Sequence, residues 1–192
     1  MLREQIKPAI LSFLVLTIIT GILYPLFVTG FAQVFFHNKA NGSLVYKDGR
    51  PIGSLLIGQP YDDPKYLWGR PSATSPFQYN GASSSGSNLG PSNPALIDAV
   101  KERIKALKAV DPDNTNPIPI DLVTSSASGL DPHISLSTAY YQIPRVARLR
   151  GLPQDTIETI VRKHTKGRLL GIIGEPVVNA LEVNLELDEY KK

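Results

Sequence analysis

Between Lys7 and Lys39 the chain carries no charged residue, and Ile10 to Phe36 reads ILSFLVLTIITGILYPLFVTGFAQVFF. A helix of about 20 residues crosses the ~30 Å hydrocarbon core of a bilayer, and the polar remainder holds no second run of this kind. Whatever the rest folds into is therefore tied to a membrane surface. A cleaved signal would have a shorter apolar core and a small-residue cleavage site; this run is longer and no Ala-x-Ala follows it, so a retained anchor is expected. The expected organisation is a short cytoplasmic N-terminus over 1–8, a transmembrane helix over 9–36 and one domain over 37–192. Arg3 and Lys7 precede the span and Lys39, Lys47 and Arg50 follow it, so the positive-inside count does not orient the chain, although it permits a large domain outside.

Composition closes several classes of chemistry. With no cysteine there is no disulfide, thiolate metal ligand or cysteine nucleophile, and His37, His133 and His164 alone argue against a zinc site. A net charge of +3 without a basic stripe gives no footprint for nucleic acid.

The span holds more than an anchor needs. Thr17, Gly21, Pro25, Thr29 and Ala32 recur close to one face, where small residues let another helix approach and hydroxyls can bond across. Ordinary membrane-helix Gly and Thr content is the plainer reading of the same residues. Pro25 clashes with the carbonyl of Gly21, which predicts a kink.

Beyond the span, Asn41-Gly42 and Asp48-Gly49 are turn signals with a strand expected over 43–46, and Ser54 to Gly58 (SLLIG) is a candidate buried strand. From Pro71 to Pro94 the chain is uncharged and rich in Ser, Gly, Asn and Pro, with Phe77 and Tyr79 among them. It reads either as a flexible linker or as a long loop lying against another surface. Asn93 and Pro94 start the clearest helix, with Leu96, Val100, Ile104 and Leu107 on one face, and Asp111-Pro112 ends it. Ser135 or Ser137 caps a helix toward Gln142, which Pro144 should break before a second helix to Arg150. A short amphipathic helix is expected over 153–164, and Val177 to Leu187 (VVNALEVNLEL) alternates as a strand does. The class is α+β.

Candidate chemistry is sparse. Gly81 to Asn88 has the two-glycine spacing of a phosphate loop without its lysine, and Asn88 stands where Ser or Thr should hold magnesium. Only a backbone anion nest remains open there, so Ser85, Gly86, Ser87 and Asn88 are weak nucleotide candidates. Asp131 and His133, with Ser125, Ser126 and Ser128 upstream, suggest either a serine hydrolase or a turn in which Asp131 caps the following segment. Arg145 to Arg168 contains seven Lys or Arg against Asp155 and Glu158, either solvated helix faces or a surface for lipid headgroups or an acidic partner.

Taken in order, the segments Gly21-Ile-Leu-Tyr-Pro25, Gly53 to Gln59, Gly69-Arg-Pro-Ser-Ala73, Ser85 to Pro94, Asp121 to Asp131, His133-Ile134, Gln142 to Ala147 and Val177-Val-Asn179 resemble the KdpC family. Its members are the small single-span subunits of bacterial potassium-transporting P-type ATPase complexes. The resemblance implies an outer-side domain on the bacterial inner membrane and two partners, a channel-like potassium-translocating subunit and a P-type pump subunit that hydrolyses ATP. It implies a non-catalytic role in assembly and activity, and at family level a catalytic chaperone with the Ser/Gly loop cast as a nucleotide contact. A domain outside the membrane meets no cytosolic ATP, and the chain lacks the Asp-Lys-Thr-Gly phosphorylation sequence, so no cofactor is expected on this subunit. Thr17, Gly21, Pro25, Thr29, Arg70, Phe77, Tyr79, Asp131, His133 and Arg145 are the partner-contact candidates. Arg70, Asp131, His133 and Arg145 are expected to be buried or interfacial, fixing loops by charge-assisted hydrogen bonds.

Overall fold

The computed structural model describes residues 2–190, with side chains from residue 4. The chain divides into two compact units, Met1–Leu44 and Val45–Lys192. In the first, α1 (Leu2–Ile18) and α2 (Tyr24–Phe35) are joined without interruption through a π-turn at Ile19–Leu23, giving an apolar helical stretch Glu4–Phe35 long enough to cross a membrane. Where a kink is expected at Pro25, the helix carries that π-turn. Pro25 has no N–H to give Gly21, and a wider i→i+5 turn just ahead of it absorbs the mismatch. A short α3 (His37–Ala40) follows. Gln33 and Asn41 tie it back to the span, with Asn41 Nδ2 donating to Gln33 Oε1 at 3.1 Å.

In the second unit β1 (Leu44–Lys47) and β2 (Arg50–Ser54) form a two-stranded sheet. Asp48 (φ 51°) and Gly49 (φ 75°) both take the positive φ that a tight I′ hairpin requires. The strand expected over 54–58 does not form. Ser54 ends β2, Leu55 and Leu56 turn, and Ile57 only bridges back to Ser54, because the apolar run meets no second strand. No helix or strand then appears among the described residues until α4 (Pro94–Val110), whose first turn is capped by Asn93 Oδ1 accepting from Ala95 N–H at 2.9 Å.

The core is built from β3 (His133–Ser135), α5 (Leu136–Arg150), α6 (Gln154–Lys163), β4 (Thr165–Lys166), β5 (Val177–Asn179) and α7 (Ala180–Glu189). The sheet has the order β3-β5-β4, antiparallel throughout, with Ile134 opposite Val178. Ile134, Ile143, Val146, Ile157, Val161, Val178, Val183 and Leu187 close the core around it. A smaller cluster of Leu107, Leu122, Val123 and Tyr141 seats α4.

Two expectations are corrected here. Pro144 does not break α5, which runs through it with Ser135 as cap. Ile143, Val146 and Ala147 are buried on either side of the proline, and that burial outweighs a lost hydrogen bond at the Tyr140 carbonyl, whose residue is 38 % exposed. The strand over 177–187 is a strand only to Asn179. Asn179 Oδ1 then accepts from the N–H groups of Leu181 and Glu182 and starts α7. Ala180, Val183, Asn184 and Leu187 are buried at helical spacing, a pattern that coexists with the apparent alternation in LEVNLEL.

Candidate functional site

The segment from Leu55 to Arg70 packs on the core with no ladder to satisfy its backbone. Three fully buried amides serve instead. Asn184 Oδ1 accepts from Leu67 N–H at 2.8 Å and its Nδ2 donates to the Leu67 carbonyl at 2.9 Å. Gln142 makes the same two-way contact with Trp68, at 2.9 and 3.1 Å, and Asn179 Nδ2 donates to the Leu55 carbonyl at 3.0 Å. Each mimics a strand partner, which lets Leu67 sit at 0 % exposure in an irregular segment. Arg145 completes this frame. Its guanidinium, 1 % exposed, donates to the Pro64 carbonyl and, at 2.6 Å, to Gln142 Oε1, and lies 4.9 Å from the Trp68 ring centre. Burial lowers its pKa to about 10, which still leaves it charged at neutral pH.

A second frame holds the uncharged loop. Arg70 Nη1 donates to Asp131 Oδ2 and Nη2 to the Ser125 carbonyl, both at 3.4 Å. Asp131 Oδ1 accepts from His133 N–H at 3.0 Å and lies 3.5 Å from His133 Nδ1, so Asp131 does cap the segment after it. The Tyr79 hydroxyl donates to the Arg70 carbonyl. Arg70, Tyr79, Asp131 and His133 therefore belong to one cluster, and Arg145 to the other.

The loop satisfies itself with hydroxyls and amides, which explains why it lacks charge. Ser72 Oγ donates to the Gly129 carbonyl at 2.7 Å and accepts from Tyr79 N–H at 2.9 Å, and Thr74 Oγ1 donates to the Phe77 carbonyl at 2.7 Å. Ser85 N–H donates to the Ser128 carbonyl at 3.0 Å. Two glycines permit the contact. A Cβ on Gly86 would lie 2.7 Å from the Ala127 carbonyl oxygen, and one on Gly129 (φ 66°) only 2.5 Å from that of Ser85. Phe77 stays 61 % exposed, and Ser87 to Pro91 are exposed throughout.

Between the two frames lies a cleft of about 400 Å³, lined among others by Tyr61, Asp62, Trp68, Arg70, Tyr79 and Arg103. Burial pushes the Tyr61 and Tyr79 hydroxyls up to about 12 and the Arg103 guanidinium below its ordinary value. Several of these groups are already engaged, the Tyr79 hydroxyl with the Arg70 carbonyl, Arg70 with Asp131 and Arg103 with the Val123 carbonyl, and Asp62 adds an acid to the lining.

Asp131 is pulled two ways. Burial raises its pKa, but the hydrogen bonds from His133 and the charge of Arg70 outweigh this and hold it below 3.8. A depressed acid contributes its stability above the unfolded pKa of about 3.9 and loses it as pH falls through the folded value. The difference in urea midpoint between the intact chain and its Asp131→Asn variant is thus expected to be constant above pH 5 and to shrink below pH 4. A difference that stays constant down to pH 3 would remove Asp131 from the clamp.

A profile of the family described as "K+-transporting ATPase, c chain" (KdpC) matches residues 6–189. The chain belongs to the KdpC family. Its similarity to "Potassium-transporting ATPase KdpC subunit" of Dechloromonas aromatica is 58 % identity over 191 residues, covering 100 % of both chains. The subunits of the same name from Methylococcus capsulatus and Sorangium cellulosum are each 58 % identical, over 98 % and 96 % of this chain and 99 % and 97 % of their own.

Within this KdpC fold the serine-hydrolase alternative finds no support. His133 Nε2 is buried with no hydrogen-bond partner, so no serine hydroxyl stands where a nucleophile must. In the span, the hydroxyls of Thr17 and Thr20 donate to the carbonyls of Phe13 and Leu16 at 2.7 and 2.8 Å. An α-helical step of four residues overshoots a full turn by about 40°, and the π-turn uses more residues per turn, so Thr17, Gly21 and Pro25 align better than in a straight α-helix. The basic run splits. Arg145 is a buried staple, and Arg148 and Arg150 bind Asp111 and Asp188, each at 2.9 Å. Sequence reasoning missed Asn179 and Asn184, together with the part played by Gln142. A polar amide within an otherwise apolar run was the available signal.

Proposed function

We propose that this chain is the non-catalytic accessory subunit of a potassium-transporting ATPase in a bacterial inner membrane, spanning it once with its domain outside the cytoplasm. The observation that carries the reading is the full-length likeness to KdpC subunits at 58 % identity. A channel-like subunit and a P-type pump subunit are its partners. ATP hydrolysis and potassium binding belong to them, and this chain stabilises their assembly. The engagement of Ser85 N–H by Ser128 supports treating Ser85 and Gly86 as docked on residues 127–128, with Ser87 and Asn88 exposed beside them. The span's Thr17–Gly21–Pro25–Thr29 stripe would pack on partner helices. The cleft, with exposed Phe77 beside it in sequence, would meet a partner's outer loops.

Gentle extraction of tagged chain and identification of the copurifying proteins tests this directly. Two larger membrane subunits with potassium-stimulated ATPase activity are expected, and a chain recovered alone would sink the reading. Arg70→Ala removes about 1 kcal/mol of clamp and is expected to lower complex recovery measurably. Recovery at the unmodified level with full transport would detach Arg70 from assembly.

A further inference from the structure

The connection between β4 and β5 carries an apolar tip that its own domain leaves uncovered. Arg168 to Glu175 reads RLLGIIGE. Leu169, Leu170, Ile172 and Ile173 are 66, 85, 80 and 63 % exposed, a contiguous cluster of the kind that marks an interaction site. The tip is a built feature. Leu169 N–H donates to the Ile173 carbonyl at 2.9 Å and Ile173 N–H returns to Leu169 at 3.0 Å. Arg168 grips both Glu175 oxygens at 2.8 Å. Leu170 takes a positive φ of 52°, a costly conformation for a leucine, which holds the most exposed side chain outward.

The charges beside the tip are sorted. Arg162 pairs with Glu158, Lys163 with Glu186 and Lys166 with Glu182, with the cation outward in these three, at 70, 65 and 55 % exposure against 32, 15 and 24 % for the acids, whereas at the base of the tip Glu175 is more exposed than Arg168, at 76 against 45 %. Aliphatic side chains flanked by outward cations are the pattern of an element that enters a bilayer interface among anionic headgroups. The tether brings such a surface within reach. Eight residues separate α2 from β1, and a chain extends by at most ~3.6 Å per residue, so the domain cannot leave the membrane's vicinity.

We propose that the 168–175 tip is a second membrane contact. Leu169, Leu170, Ile172 and Ile173 enter the headgroup–acyl boundary of the leaflet on the domain's own side, and Arg162, Lys163 and Lys166 face anionic lipid phosphates. This rests on residues 9–36 spanning the bilayer but on no identity of the partner subunits.

The chain has no cysteine, so a single introduced cysteine gives a unique label. The full chain with Leu170→Cys, carrying an environment-sensitive fluorophore, is placed in nanodiscs of phosphatidylcholine and phosphatidylglycerol with nitroxide-bearing lipids. Quenching of about twofold or more is expected at 170 and none at the exposed Lys105→Cys, and pure phosphatidylcholine should weaken it. Quenching at Leu14→Cys in the span but not at 170 would overturn the tip contact alone, and its absence at both would overturn the span as well. A label at 170 shielded only when partner subunits are present, without lipid quenching, would assign the tip to a protein and overturn the proposal.

Discussion

Arg145→Ala is expected to lower the melting temperature of the full chain in detergent by roughly 10 °C. The side chain is 1 % exposed, so its loss leaves a cavity, and the Pro64 carbonyl and one lone pair of Gln142 Oε1 lose their donor. Removing one member of a buried charged network costs about 3–5 kcal/mol, and each kcal/mol moves the midpoint of a chain this size by about 2–4 °C. Arg145→Lys is expected to recover little, because an ammonium cannot stack on Trp68 while serving two divergent oxygens. Trp68 is the sole tryptophan and lies against the guanidinium, so its emission should red-shift in both variants. A shift in melting of less than 2 °C, or unaltered emission, would show that Gln142 and Asn184 hold the 55–70 segment without Arg145.

Gly129→Ala is expected to free the uncharged loop while leaving the helical core folded. The new Cβ would lie 2.5 Å from the Ser85 carbonyl oxygen and 2.6 Å from Thr74 Cγ2, at a φ of 66°. Left-handed strain of about 1–2 kcal/mol adds to the overpacking, for a total of about 2–4 kcal/mol. Hydrogen exchange should accelerate across residues 72–85, with α5 and α6 keeping their protection. If that loop forms the partner-facing surface, recovery of the complex falls with it. Gly90→Ala is the matched control, because nothing lies within 4 Å of its Cβ position and its φ is not positive. Equal exchange in the two variants would contradict the docking of the loop on Ser126 to Gly129.

Much of the fold was legible locally. α4 declares itself by its cap and spacing and α6 by its spacing, with Leu107, Ile157, Ile160 and Val161 on the inward face as read. The misreadings share one cause. At Pro144, at Ser54 to Gly58 and past Asn179, local preference and tertiary burial disagree. A buried helix face carries the proline, no partner strand receives SLLIG, and a cap-plus-helix pattern lies inside an apparent alternation. β3 and β4, of three and two residues, are too short to have any pattern of their own.

By itself the sequence determined that this chain carries one apolar run long enough to cross a membrane, that it holds no cysteine, and that its segments resemble the KdpC family. Those properties are additive along the chain: a run of aliphatic and aromatic residues is apolar wherever it sits. Only the tertiary structure decided that Arg70, Tyr79, Asp131 and His133 form one clamp and Arg145 another, that three buried amides replace a missing strand, and that LLGII at 169–173 faces outward. Those depend on which backbone groups are left unpaired once the core closes, and residues more than a hundred positions apart, such as Leu67 and Asn184, settle that together.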